Sequence, residues 1–507
     1  MGSQPMVTGP IRLRWLNSPR KQQRNHAASP VHIRDGPEAV EALMNNWFGQ
    51  VCPAWSAFDS PLNLNRKIAL EMMHSSAAVF NALQSMSASF LSPRLPQLEK
   101  PALQMLKKAA LSITEEANNL RTKDILDSVP TGLLFSLFCL GTSVCWLEAG
   151  RLGLPFLKEA KGLLSRVSSR AILASDDQIE TLAFFRKSLV YWEMLLSFVD
   201  DYEPRQEDPV RQLGPCRDTP GTTTDQFLHP WTGISTLMSH LFTLSIRLCR
   251  SHRRRVSRPK GTEIAIEAAM EEAQEAQNLE QRLLDTDFSA VLPTNSTGDE
   301  KTPWMHLAYV AEAYQLASLL QLYLTFPHLV TLRLQLDPDI EANSKIPCDK
   351  WTIPVALRLT KLLEQIPPES GSRVIQPLLY ICASTGLCFN VSPLSPNSST
   401  CQTEANVTCD TLPITLGVQG ILDYIGQMQV AEGGDTMSQM AVEIGTARNF
   451  ILRRLDTLEC TLQPRPIAVA KLLVKAIWAA YDDEQEGCGS RHWLDIMEAH
   501  SLRSLFG

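Results

Sequence analysis

The stretch ETLAFFRKSLVYWEMLLSFVDD, residues 180–201, decides the class of fold. Its apolar side chains recur in alternating steps of three and four residues, at Leu182, Phe185, Leu189, Trp192, Leu196 and Val199. This spacing places them on one face of an α-helix, and a face this apolar has to be buried. An aromatic row of this kind could also line a cofactor pocket, but core packing is its more frequent use. We therefore interpret the face as part of a protein core.

Helical patterns continue on both sides of this stretch. Upstream they cover residues 38–51, 66–91 and 101–120, and each ends at Pro, Gly or polar residues. Downstream, amphipathic stretches follow at Glu263–Leu284, Trp304–Phe326, Val355–Ile366, Ala447–Leu458 and Ile467–Tyr481. No convincing run alternates apolar and polar residues as a strand does. The sequence therefore predicts an all-α fold, a large multi-helix domain of packed antiparallel helices with irregular loops.

Three breaks interrupt the helical patterns, at Asp200–Pro230, Ser289–Pro303 and Asn390–Pro413. They are rich in Pro, Ser, Thr, Asn and Asp, as surface loops are. Because helical segments of similar composition lie on both sides of each break, we expect residues 35–507 to form one helical domain or two tightly packed lobes. Residues 1–34 contain Lys and Arg but no acidic residue, which predicts a basic, disordered arm.

The overall composition narrows the class of protein. Hydrophobic residues make up 44% and charged residues 20% of the 507, as in ordinary folded proteins. The net charge of −7 provides no general positive field for nucleic acid, so any contact with DNA has to be local. Residues 1–16 lack the apolar core of a signal peptide, and we expect an intracellular protein.

One stretch resembles a membrane span in length. Residues 129–147 contain 19 residues without a charge, but Pro130, Gly132 and Gly141 interrupt them, and no second candidate accompanies them. We therefore predict a buried core helix at this position.

The twelve cysteines are spread along the chain without any C-x2-C pair. A tetrahedral zinc site usually takes two thiolates that lie two to four residues apart, because one tight turn then presents both to the metal. The closest pairs here are six residues apart, as in Cys139 and Cys145, and eight apart, as in Cys401 and Cys409. We expect neither a disulfide scaffold nor a metal site, and no cofactor.

Motifs for catalysis are also missing from the sequence: there is no phosphate-binding loop, nucleophile elbow or H-E-x-x-H helix. Two acidic clusters are the exception, VDDYE at residues 199–203 and DDEQE at Asp482–Glu486. Magnesium-dependent helical isoprenoid enzymes hold a diphosphate between two such clusters. Because the first cluster runs into a loop and we expect no helix after the second to complete a cavity, we prefer acidic helix ends exposed to water and expect no enzyme.

Two basic clusters remain as candidate functional residues. One lies in the arm, and the other is RLCRSHRRRVSRPK at residues 247–260, with seven Lys or Arg and no acid. Such runs serve nuclear import or phosphate contact, but they also form the solvated ends of helices. The candidate residues are Arg12, Arg14, Arg20, Lys21, Arg24, Arg253, Arg254, Arg255, Arg258 and Lys260. We do not expect them to recognise bases by themselves.

Several segments, taken in order, resemble the large helical region that follows the zinc cluster in fungal-specific transcription factors. In HPWTGISTLMSHLFTLSIRLCR, residues 229–250, His229, Pro230, Thr232 and Gly233 form a turn that leads into a helix. The other similar segments are residues 47–63, 75–91, 189–201, 312–326, 362–385, 447–459, 471–483 and 492–507. The resemblance covers roughly residues 40–507.

This resemblance implies a nuclear transcription regulator, of the class that controls metabolic or secondary-metabolite gene clusters. Ile11–Ala27 is similar to the basic linker that directly follows the zinc cluster in the family, whereas residues 1–10 contain no cysteine. No metal-binding or DNA-contacting residue of the family can therefore be assigned to this chain. We expect contact with DNA to be indirect or weak, through other transcription regulators or a DNA-binding partner in a homo- or heterodimer. The alternative is a dominant-negative or bridging regulator that binds protein partners only.

Overall fold

A computed structural model describes residues 37–167, 175–201, 229–257, 262–287, 296–334, 351–389, 436–482 and 492–507. Within these ranges the chain is all-α, as predicted, with a single isolated bridge between Leu126 and Val167 and no strand. The predicted arm at residues 1–34 and most of the three loops lie outside the described residues.

Seven helices of nine or more residues form the first part of the fold in the described residues. They are α1 (Pro37–Asn46), α2 (Leu64–Met72), α3 (Ala77–Leu91), α4 (Glu99–Arg121), α5 (Thr131–Ser143), α6 (Leu154–Ser165) and α7 (Asp176–Val199). Helices α3 and α4 form a hairpin that packs on α1 and α5, and α6 covers another side of α5. The strongly apolar α5 thus lies inside a shell of helices.

Nine further helices follow in the described residues. They are α8 (Thr236–Val256), α9 (Thr262–Asp285), α10 (Trp304–Thr325), α11 (His328–Leu334), α12 (Thr352–Glu364), α13 (Pro377–Ser384), α14 (Thr436–Thr461), α15 (Pro464–Tyr481) and α16 (Trp493–Ala499). Helix α8 connects the two groups, because it packs against α7 on one side and against α10 on the other. The buried apolar side chains of both groups form one continuous cluster.

Side-chain caps determine where several helices begin. The helical pattern predicted over residues 66–91 divides into α2 and α3, because the Ser76 hydroxyl accepts a hydrogen bond from the Val79 N–H at 3.3 Å and starts a new helix. In the same way, Asn63 caps α2 and Ser235 caps α8. These short polar residues interrupt patterns that would otherwise continue.

The face that the sequence predicts on α7 is buried: all six of its residues are core residues. Phe138 of α5 stacks on Phe185 with ring centroids 5.7 Å apart, and it also contacts Trp192 at 5.3 Å. Burial extends beyond that face, however, since Glu193 is also buried and forms an ion pair with Lys161 of α6. In the sequence Glu193 looks like a surface residue, because its buried partner Lys161 is distant along the chain.

Helix α10 departs further from its prediction. Residues 304–326 were expected to be amphipathic, but side chains on all sides of the helix are buried. The reason is that α8, α9, α12 and α13 surround it. Its polar side chains therefore have to find partners inside the protein.

The apolar stretch at residues 129–147 is the core helix that we predicted. It forms α5 and a following 3₁₀ turn, and its side chains from Leu133 to Leu147 are buried. Among the helices that the structure describes, none combines the length and the hydropathy needed to cross a membrane.

Two glycines allow the chain to pack tightly where α6 begins. Gly153 has a φ of +68°, and a Cβ placed on it would lie 2.0 Å from the carbonyl oxygen of Gly141 in α5. Gly141 is itself pressed against the Trp192 ring, so α5 cannot move away. The turn before α6 is thus fixed against the core.

We predict that Gly153→Ala lowers the free energy of unfolding by at least about 2 kcal/mol, because it adds a steric clash to an unfavourable φ. Gly162→Ala is the matched control within α6, since no atom lies within 4 Å of the added Cβ. There we expect a gain of up to about 1 kcal/mol from helix propensity. Urea unfolding of both variants measures the difference, and equal effects would contradict the packing described here.

Candidate functional site

The basic cluster at the end of α8 lies where three parts of the fold meet. The Arg250 side chain is 5% exposed. Its Nε donates to Asp201 Oδ1 at 2.8 Å, its Nη1 to the Phe198 carbonyl at 3.0 Å, and its Nη2 to Glu498 Oε1 at 3.1 Å. One guanidinium thus joins the end of α7, α8 and α16. Nothing in the local sequence distinguishes Arg250 from its neighbours, so this role could not be predicted.

The following arginines also contact acidic residues of other helices. Arg253 forms an ion pair with Asp495 of α16, and Arg255 binds Glu272 of α9 at 2.9 Å. His252 Nδ1 lies 2.9 Å from the same Glu272. Placing cations at the C-terminal end of α8 also suits the helix dipole. These contacts hold α9 and α16 against α8.

Of the remaining basic candidates, only Arg254 lies among the described residues. Arg254 lies in the last turn of α8, and its charge acts on Asp201. Arg258, Lys260 and the five candidates of the arm lie outside the described residues. A role of either cluster in nuclear import or phosphate contact stays a prediction.

The two acidic clusters are bound to different arginines. Burial alone would raise the pKa of Asp201, but its hydrogen bond to Arg250 and the nearby arginine charges lower that pKa below its ordinary value. Asp482 Oδ1 accepts from Arg448 Nη2 at 2.8 Å, and the Arg448 guanidinium lies over the ring of Phe389, 4.2 Å from its centroid. The other acidic residues of both clusters lie outside the described ranges, apart from Asp200.

The described parts of the chain contain no candidate metal site. There, no group of three or more His, Cys, Asp and Glu side chains is arranged to share a metal ion.

The turn at residues 229–233 is held by its histidine. The His229 ring is buried and stacks on Phe184 with centroids 4.7 Å apart. Its Nδ1 accepts hydrogen bonds from the N–H groups of Trp231 and Thr232, both at 3.2 Å. Nε2 therefore carries the proton, and it donates to the Phe184 carbonyl at 3.1 Å. This network requires the neutral form of the ring.

A second buried histidine, His492, accepts a backbone hydrogen bond in a similar way at the start of α16. His492 Nδ1 accepts from the Leu494 N–H at 3.2 Å, and its Nε2 lies 3.1 Å from Thr325 Oγ1 of α10. The adjacent Trp493 stacks on Phe198 with centroids 4.4 Å apart. Histidine is not among the usual capping residues, so the sequence gives no sign of this role of His492.

Both histidines make the stability depend on pH. Burial lowers the pKa of each ring to about 3, and for His492 the charges of Arg253 and His252 add to the effect. An unfolded chain has the ordinary histidine pKa of about 6.5 and so binds more protons below that pH than the folded chain does. Above pH 6.5 both rings are neutral in the folded and in the unfolded chain, so they do not lower the stability. As the pH falls from 6.5 towards 3, the unfolded chain takes up protons that the folded chain does not, and the free energy of unfolding decreases.

We predict that the free energy of unfolding decreases between pH 6.5 and 5, and that each of the two histidines contributes a slope approaching about 1.4 kcal/mol per pH unit. His229→Asn keeps an acceptor for the turn and should remove one of the two contributions. His74→Asn, at an exposed position, is the control and should keep the wild-type slope. Urea unfolding at several pH values tests this; a His229→Asn slope equal to that of the wild type would show that His229 is not the proton acceptor.

The comparison with known protein families gives one match. The model of the fungal specific transcription factor domain matches residues 42–392, which is more than half of the chain and extends from α1 to α13. Searches of curated proteins and of solved structures gave no significant match. The resemblance that the sequence analysis identified is confirmed, and the chain belongs to the family of proteins with a fungal-specific transcription factor domain.

Proposed function

We propose that the protein is a nuclear transcription regulator that controls genes of a metabolic or secondary-metabolite cluster through its helical domain. The observation that carries this proposal is the family match over residues 42–392. The all-α architecture supports it, because such a domain offers large helical surfaces to other proteins.

We propose further that the chain reaches DNA through a partner, another transcription regulator with which it forms a homo- or heterodimer. An arginine can bind phosphate only where its guanidinium group is available to a ligand. At the end of α8, however, Arg250, Arg253 and Arg255 contact acidic residues of the same chain. This supports a structural use of these three arginines.

A reporter assay tests the proposed function. We expect residues 37–507, fused to a foreign DNA-binding domain, to change transcription from the matching promoter several-fold relative to that domain alone. Increased transcription would identify an activator and decreased transcription a repressor. Occupancy of the promoter, measured by chromatin immunoprecipitation, is the control for a folded and bound fusion. An occupied promoter with unchanged transcription would contradict the proposal and favour a protein that only bridges or competes for partners.

Nuclear import can be tested without changing the arginines that contact α9 and α16. We predict that replacing Arg12, Arg14, Arg20, Lys21 and Arg24 with Gln lowers the nuclear fraction of a fluorescently tagged full chain, and that adding Arg258→Gln and Lys260→Gln lowers it further, because import receptors bind clustered cations. Arg253 and Arg255 stay unchanged in all variants because they hold α9 and α16.

The control for this experiment is the pair Lys100→Gln and Lys108→Gln, which removes two exposed cations from α4. It should leave the nuclear fraction at the wild-type level. A variant without these seven cations that still accumulates fully in the nucleus would show that none of the seven is needed for import.

A further inference from the structure

Helix α9 carries two large apolar side chains on its outward side. Ile266 and Met270 lie one helical turn apart and are 61% and 69% exposed. Single exposed apolar residues are ordinary on a protein surface. Among the described residues, however, these two are the only exposed large apolar side chains that stand one turn apart in a helix. Neighbouring exposed groups of this kind favour contact with another apolar surface.

A row of carboxylates runs beside this pair. Glu267, Glu271 and Glu275 follow one another at intervals of four residues, so they lie along one side of the helix. All three are exposed, and none has an ion-pair partner within the described part of the chain. By contrast, the inward carboxylate of Glu272 is already bound to Arg255. The three outward carboxylates are therefore available to cations from elsewhere.

These five side chains, which we call the outer face of α9, determine the chemistry of an occupant. The occupant has to offer apolar side chains to Ile266 and Met270 and cations to the three glutamates. A second copy of α9 does not fit, because two such faces would bring six glutamates together. A segment in which apolar and basic residues are interleaved fits both requirements.

The basic arm has this composition. Residues 11–16, IRLRWL, alternate apolar side chains with Arg12 and Arg14, and three further cations lie within residues 20–24. The whole of residues 1–34 contains six Lys or Arg and no acidic residue. The arm and the outer face of α9 are therefore complementary in charge, and both also carry exposed or interleaved apolar groups.

The arm is long enough to cover the length of α8. The chain after α1 lies beside the turn that precedes α8, since the Ala57 N–H donates to the Pro230 carbonyl at 2.6 Å. Helix α8 has 21 residues and is therefore about 31 Å long. At its far end Arg255 contacts Glu272, in the first half of α9. The chain from residue 20 to residue 37 can span up to about 60 Å, almost twice the length of α8.

We infer that the basic arm, residues 11–27, docks on the outer face of α9 in the same molecule. The apolar residues of IRLRWL cover Ile266 and Met270, and the arm's cations pair with Glu267, Glu271 and Glu275. This contact does not depend on the proposed function.

The first experiment detects the contact in the full chain by photo-crosslinking. The variant Gln274→p-benzoylphenylalanine places the crosslinker at an exposed position beside the outer face and leaves its five side chains intact. After irradiation, mass spectrometry should find it joined to residues 11–27, in a product that has the mass of one chain. A crosslink to other residues only, or none, would overturn the inference. A product with the mass of two chains would place the arm on a second copy and contradict the intramolecular contact.

Two controls accompany the crosslinking. The variant Leu111→p-benzoylphenylalanine carries the crosslinker at a position of α4 that is 70% exposed, and it should give no crosslink to the arm. Replacing the three glutamates of the outer face with Gln should lower the yield from position 274 at least fivefold.

The matched change elsewhere is Glu71→Gln, Glu115→Gln and Asp124→Asn, three exposed acids of other elements, and it should leave the yield from position 274 unchanged. Equal losses in the two triple variants would show that only the net charge matters, which would contradict a contact at this face.

The second experiment measures competition between the arm and a free peptide. A fluorescent peptide with the sequence of residues 8–28 is titrated, by fluorescence anisotropy, with the wild-type full chain and with the full chain in which the five arm cations at positions 12–24 are Gln. We expect the arm variant to bind the peptide at least fivefold more tightly, because its own arm no longer occupies the face. Equal binding to both chains would overturn the inference.

Further changes in the arm variant assign the peptide to the outer face. Ile266→Gln with Met270→Gln should weaken peptide binding at least fivefold, and Gln at the three glutamates at least tenfold. Leu111→Gln is the control for the apolar change and should bind as the arm variant does. Gln has nearly the helix propensity of Glu and Met, and thermal unfolding of each variant verifies its fold. Binding that survives the changes at the outer face would place the arm elsewhere and refute the contact.

Discussion

The burial of α10 from Val310 to Tyr323 is the constraint on which the rest of the structure depends. A helix with no solvent-facing side has to satisfy every polar side chain from within the protein, because an unpaired buried charge or amide is costly. Glu312 binds Arg358 of α12 at 2.7 Å, and the Tyr314 hydroxyl donates to the Ile375 carbonyl before α13. Gln315 Nε2 donates to the Leu283 carbonyl of α9, and Gln321 Nε2 to Thr385. These four polar residues of α10 therefore each fix the position of a neighbouring element.

The class of fold and most of the core could be predicted from the sequence, because helical periodicity is a local property. The face of α7 from Leu182 to Val199 is buried as its spacing indicates. The central place of α10 could not be predicted in this way. Glu312, Gln315 and Gln321 look like solvent-facing positions until Arg358, Leu283 and Thr385 are brought to them from elsewhere in the chain. Local patterns contain no information about such distant partners.

The same limit applies to the candidate site. In the sequence, the arginines at the end of α8 appear as a run of cations. Such a run is compatible with nuclear import, with phosphate contact and with the solvated end of a helix. Their partners Asp201, Glu272 and Asp495 are from 17 to 242 residues away along the chain. Whether these arginines face solvent or form contacts within the protein depends on these distant carboxylates. The neutral state of His229 depends likewise on burial, to which the ring of Phe184, stacked on the imidazole from 45 residues away along the chain, contributes.

The stacking of Trp493 on Phe198 also has a consequence for how the protein is made. Phe506 contacts the same Phe198 ring, so residues almost 300 positions downstream cover this part of α7. Ribosomes add about 5–20 residues per second, and the surface around Phe198 therefore stays uncovered for roughly 15–60 seconds after its own synthesis. During that time an apolar patch in the middle of the fold is open to chaperones and to other nascent chains. The core around Phe198 is therefore complete only after Trp493 and Phe506 have been made.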